Sequence, residues 1–80
     1  MEDAQVLEFF GKQLQVFRQA KGWSQEKLAF EAGLDRTYIS SVERGCRNIS
    51  LINIHKLAAA LEIAPQNLLL IKGGGEGEQD

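Results

Sequence analysis

The stretch from Ser24 to Gly45, SQEKLAFEAGLDRTYISSVERG, decides the fold. It divides at Gly33. Before that glycine, Leu28, Ala29 and Ala32 recur at helical spacing behind Ser24, a residue type that caps helix N-termini with its hydroxyl. After it, Asp35 offers a second cap, and Ile39 and Val42 form a second apolar stripe that closes at Gly45. Gly33 can adopt the left-handed backbone that a sharp reversal needs. The pattern predicts helices over about 24–32 and 36–44 joined by a tight turn. Small Ala29 permits close approach, and Leu34 plugs the corner. This is the spacing of a helix-turn-helix unit. Neither helix is long enough for a freestanding hairpin, so both must lean on neighbouring segments.

Those neighbours are present. Phe10, Leu14 and Phe17, with Val6 upstream, mark a first helix over about 5–20 that Gly22 ends. Ser50 caps a fourth helix to about residue 61, with Leu51, Ile54, Leu57, Ala58 and Leu61 directed inward. Pro65 suits the first turn of a short fifth helix ending near Ile71. Phe10, Leu14, Phe17, Trp23, Leu28 and Leu57 are the expected core. The reading is all-α: five short helices, short connections and no strands. Residues 1–4 are expected to be flexible, 5–72 to form one domain, and 73–80 to be a disordered Gly- and Glu-rich tail without apolar residues.

Composition narrows the function. Eighty residues with 44% hydrophobic content make one small globular domain. Cys46 and His55 are the sole residues of their types, so neither an internal disulfide nor a zinc site built from them is expected. No metal or cofactor is anticipated. No signal peptide is legible, and the longest apolar run, Leu68 to Ile71, is far too short to span a membrane. A cytoplasmic protein is expected. No nucleophile–base set or phosphate-binding glycine loop appears, which weighs against an enzyme.

The net charge is −2, but six of the eleven acids, Glu2, Asp3, Glu8, Glu76, Glu78 and Asp80, lie in the terminal arms. Without them five acids face all nine bases, so the centre carries about +4. At ~100° per residue, Arg36, Thr37, Ser40, Ser41 and Arg44 share one stripe about 140° wide on the third helix. Tyr38, Ile39 and Val42 fall opposite. One face is apolar, while the other is basic and hydroxyl-bearing. The second matches a DNA major groove, where Arg reads guanine and Ser or Thr reads base edges.

From about Phe10 to Leu69 the chain resembles the phage-repressor and Cro (XRE-type) family of helix-turn-helix regulators, through Gln25, Leu28, Ala29, Gly33, Ile39, Glu43 and Gly45. Within that family, DRTYISSVERG followed by Arg47-Asn48 is similar to the controller proteins of restriction–modification systems. The resemblance implies a compact five-helix, lambda-repressor-like domain. It implies base reading by Arg36, Thr37, Ser40, Ser41 and Arg47. It also implies backbone or shape contacts from Ser24, Gln25, Tyr38, Arg44 and Asn48. Bland alternatives stand beside these roles: Ser40 and Ser41 are small enough simply to let DNA approach, and Tyr38 is equally a packing residue. Arg18 and Glu43 match an ion pair tying helix one to helix three. Ile49 stands where proline is frequent and Cys46 where a basic residue is frequent.

One short recognition helix covers few base pairs, so a homodimer on a palindromic operator is expected. The resemblance places its interface at the C-terminal helix. Ile52, Ile63, Pro65, Gln66, Asn67, Leu68, Leu70 and Ile71 are the candidates. The expected function is transcription regulation by double-stranded DNA binding. It is autoregulatory, as repressor or activator, and activation would need a surface for RNA polymerase. The competing reading is an antitoxin-like protein whose main partner is a toxin.

Overall fold

The computed structural model describes residues 1–70, which form five helices. Helix α1 spans Asp3–Ala20, α2 Gln25–Ala32, α3 Arg36–Glu43, α4 Leu51–Leu61 and α5 Gln66–Leu69. The tail read at 73–80, and Ile71, lie outside the described residues.

Helix α1 begins two residues earlier than its apolar stripe indicates. The backbone N–H of Glu2 donates to Oε1 of Gln5 at 3.2 Å, so a capping interaction extends the helix into the segment expected to be flexible. Ser24 caps α2 by accepting from the Lys27 N–H at 3.0 Å, and Ser50 caps α4 through Asn53 at 3.1 Å. Asp35 differs from its expected role. Its backbone occupies the cap position, but its carboxylate accepts from the Thr37 hydroxyl instead of a backbone N–H. Gly33 turns the chain with φ +70°, and the Leu34 N–H returns to the Ala29 carbonyl at 2.9 Å. No glycine stops α4. Glu62 itself takes the left-handed conformation, with φ +60°.

Helix α1 packs against α3 and α5, and α2 packs against α3 and α4. The core draws Phe10 and Leu14 from α1, Leu28, Ala29 and Ala32 from α2, and Ile39 and Val42 from α3. Ile54, Leu57, Ala58 and Leu61 come from α4, and Leu68 from α5. Phe17, Trp23 and Leu34 are half-buried against it. Two assignments change. Leu51, read as inward, is 69% exposed, because it opens α4 at the margin of the buried arc. Leu68, read as a dimer contact, is fully buried: it is the one buried position of the single-turn α5, and it fills the core of its own subunit.

Gly11 sets the spacing between α1 and α3. A Cβ there would lie 2.6 Å from the carbonyl oxygens of both Val42 and Glu43. The obstacles are backbone atoms, so the recognition helix itself would have to shift. Gly11→Ala is expected to cost about 1–3 kcal/mol, the range for overpacking a tight core, despite alanine's better helix propensity. Thermal unfolding measures it. A variant as stable as the parent would show that the α1–α3 spacing is adjustable.

Candidate nucleic-acid interface

A charged knot holds the recognition helix from behind. Nε of Arg18 donates to Oε2 of Glu43 at 2.6 Å, and Nη2 to Oε1 at 3.0 Å, giving a two-pronged pair between α1 and α3. Nη1 of Arg18 donates to the Trp23 carbonyl at 2.7 Å. Both side chains are largely withdrawn from water, at 10% and 3% exposed. A third element joins, since Nε2 of Gln25 donates to Oε1 of Glu43 at 3.0 Å. The resemblance gave Gln25 to the DNA backbone, but in the structure one of its amide hydrogens braces α2 against α3.

In front of the knot, Arg36, Thr37 and Arg44 are exposed, while Ser40 and Ser41 are half-buried. Two hydroxyl protons on this face are already committed. The Ser41 hydroxyl donates to the Tyr38 carbonyl at 2.9 Å, and that of Thr37 donates to Asp35. Arg44 caps α3. Just beyond, exposed Arg47 lays its guanidinium over the Tyr38 ring, 4.9 Å from the centroid. Tyr38 is half-buried, and its hydroxyl accepts from Nδ2 of Asn53 on α4 at 3.0 Å. Gly33, Asp35, Thr37, Tyr38, Ser41, Arg47 and Asn53 line one open groove. Ser24 and Asn48 are exposed at the start of α2 and in the α3–α4 loop. The structure therefore gathers Arg36, Thr37, Ser41, Arg44 and Arg47 on and beside one helix, with Tyr38 beneath Arg47.

Sequence reasoning missed two residues. Gly11 lies within a regular helical stripe, and nothing local marks it as a contact point. Asn53 sits in the first turn of α4, fifteen positions after Tyr38, and only the fold brings them together.

Of the proposed dimer positions, Ile52 is 67% and Leu70 55% exposed. Ile63 packs partly against the core. Pro65 is half-buried and Gln66 exposed, and the Asn67 carbonyl accepts from Nε2 of Gln13 at 3.1 Å. Leu51, Ile52, His55 and Ala59, with Lys56 beside them, line an outward strip on α4.

A helix-turn-helix domain with a basic, outward recognition helix is a DNA-binding architecture. The Helix-turn-helix (HTH_3) family model matches residues 14–68, and the chain belongs to that family. The control protein C.BamHI of Bacillus amyloliquefaciens is 51% identical over 71 residues, 88% of each chain. The crystal structure of the restriction–modification controller protein C.AhdI from Aeromonas hydrophila superposes with a TM-score of 0.77 at 60% identity, over 78% of this chain and 94% of that one. The regulator SinR, solved in complex with DNA, superposes with a TM-score of 0.74 at 34% identity, over 76% and 98%. A hypothetical transcription factor of Neisseria meningitidis is 60% identical over 57 residues, and the chain spans about half of it, 54%. These relatives are controller proteins and transcription regulators, SinR among them solved with DNA, and the antitoxin reading finds no support in them. Among the described residues no helix is long and apolar enough to cross a membrane.

Breaking the knot exposes its importance. Arg18→Ala leaves Glu43 buried without its partner, which is expected to cost about 3–5 kcal/mol by denaturant unfolding. A loss below about 1 kcal/mol would place the pair in the class of surface ion pairs.

Proposed function

We propose that this chain is a sequence-specific transcription regulator that binds a palindromic operator as a homodimer, in the manner of a restriction–modification controller acting on its own promoter. The observation that carries the reading is the recognition face. Arg36, Arg44 and Arg47 stand exposed on and just beyond an eight-residue helix whose one acid, Glu43, is neutralised from behind. Similarity to C.BamHI over 88% of both chains supports the controller form.

The chemistry divides the work. Arginines offer forked donors that suit guanine O6 and N7. Thr37 and Ser41 have donated their protons internally, so toward DNA they present lone pairs, and Thr37 adds a methyl. That combination suits the amino group of adenine or cytosine and the thymine methyl. Ser40 presents a small hydroxyl between Arg36 and Arg44. Ser24, Gln25, Arg44 and Asn48 then hold the phosphate backbone in register. Asp35 sits in the same groove, and its carboxylate, which keeps its charge while accepting from Thr37, disfavours phosphate there.

Dimerisation uses apolar surface that the subunit does not bury. Ile52 and Leu70 are the exposed apolar members of the predicted set, with Pro65 capping α5, Gln66 opening it and Ile63 in the turn before it. A two-fold pair would place recognition helices about one DNA turn, roughly 34 Å, apart. An activating form would further require a surface for RNA polymerase. Such a protein works in the cytoplasm, on the nucleoid.

Two measurements test this. In gel shifts with the DNA upstream of its own gene, binding is expected to be specific and to weaken steeply with salt. Arg36→Ala should cost about 1–3 kcal/mol, roughly 5- to 150-fold in affinity, and relax discrimination at one base position. Specific binding unaffected by this change would remove Arg36 from the readout, and no specific binding at low salt would end the autoregulatory reading. Separately, Leu70→Glu should convert a sedimenting dimer to monomer, and an unchanged profile would move the interface elsewhere.

A further inference from the structure

The Asn53–Tyr38–Arg47 relay is not explained by packing alone. Tyr38 sits in the first turns of α3 and Asn53 at the start of α4, and each is half-buried at the edge of the same groove. The direction of their hydrogen bond matters. Nδ2 of Asn53 donates, so the tyrosine oxygen is an acceptor there, at 3.0 Å. The phenolic proton is consequently free to point away from Asn53. A hydroxyl that accepts one hydrogen bond also becomes a stronger donor in the next. The same contact anchors the tip of the Tyr38 side chain, and the ring face carries the Arg47 guanidinium at 4.9 Å. Among the described residues Arg47 makes no salt bridge or hydrogen bond, so the stack on Tyr38 is what holds it.

We propose that Asn53 is a specificity-determining positioning residue: by donating to the Tyr38 hydroxyl it aims that hydroxyl's proton, and the Arg47 guanidinium stacked on the ring, at acceptors on operator DNA. The proposal rests on the DNA-binding reading and adds a residue to it that contacts DNA only through another. A free arginine side chain loses considerable rotamer entropy on binding. Stacking removes part of that loss beforehand, so affinity and discrimination both gain from preorganisation. Asn53 is suited to this role because Ser50 caps α4 through the Asn53 backbone N–H, which leaves its side-chain amide to reach back to α3.

The test has an arm without DNA and an arm with it. In the free protein, Arg47 side-chain protons over the Tyr38 ring should show upfield ring-current shifts by NMR. Asn53→Ala should shrink those shifts while leaving the backbone spectrum and the thermal midpoint close to the parent. Retained shifts would overturn the proposal whether or not the protein binds DNA. In the DNA arm, operator selected from a random duplex pool is titrated with the parent, Asn53→Ala, Tyr38→Phe and the double variant. Each single change should weaken binding about two- to tenfold, the worth of one hydrogen bond. The double variant should match Tyr38→Phe, because the amide acts through the hydroxyl. Additive losses would mean that Asn53 meets DNA directly, and an unaltered Asn53→Ala affinity would mean that it plays no part. Either result overturns the positioning role. If the parent selects no DNA at all, the regulator reading fails, and this inference fails with it.

Discussion

The buried pair between Arg18 and Glu43 is the constraint on which the rest depends. An eight-residue helix such as α3 has no independent stability in water, because nucleation costs more than so few hydrogen bonds return. It exists because its back is held. Ile39 and Val42 provide area, but apolar contact is non-directional and leaves rotation and sliding open. The two-pronged bond from Arg18, reinforced by Gln25, fixes α3 against α1 and α2 at once. Buried pairs stabilise less than their geometry suggests, since both charges lose water. Their use here is positional. The pair sets where Arg36 and Arg44 point, and it removes the one acid of α3 from the field that DNA would meet.

The close approach at Gly11 belongs to the same arrangement. The Arg18 side chain must reach across to Glu43, and the backbones of α1 and α3 come near enough only because residue 11 has no Cβ. Two features separated in sequence thereby act together. One supplies proximity and the other direction.

Much of this was legible in the sequence, for physical reasons. Helices α2 to α4 are each announced by a cap and a stripe, and Gly33 marks the turn between the first two, so local chemistry and fold agree. The Arg18–Glu43 pair followed from resemblance, since no local rule joins residues 25 positions apart. The errors fall where local signals are weak. Leu51 begins a helix, where the buried arc is poorly defined, and α5 is so short that periodicity does not separate its core residue, Leu68, from exposed Leu69 and Leu70. The contacts of Gln25 with Glu43 and of Asn53 with Tyr38 were not legible because an amide's partner is set by three-dimensional placement. A side chain that is both donor and acceptor carries no directional label in sequence.

The placement of polar groups around α3 explains how a chain of net charge −2 presents a cationic face. Two acids near that face are paired with cations, Glu43 with Arg18 behind the helix and Glu31 with Lys27 at 2.9 Å, while exposed Asp35 accepts from Thr37 and Glu8 lies beside Arg44. The arginines in front are the ones without carboxylate partners among the described residues. Net charge then governs solubility and non-specific attraction, while the local field governs contact. A weakly acidic chain avoids indiscriminate adhesion to phosphate and still delivers positive charge where geometry permits base contact. That separation suits a regulator whose operator must be distinguished from a large excess of other DNA.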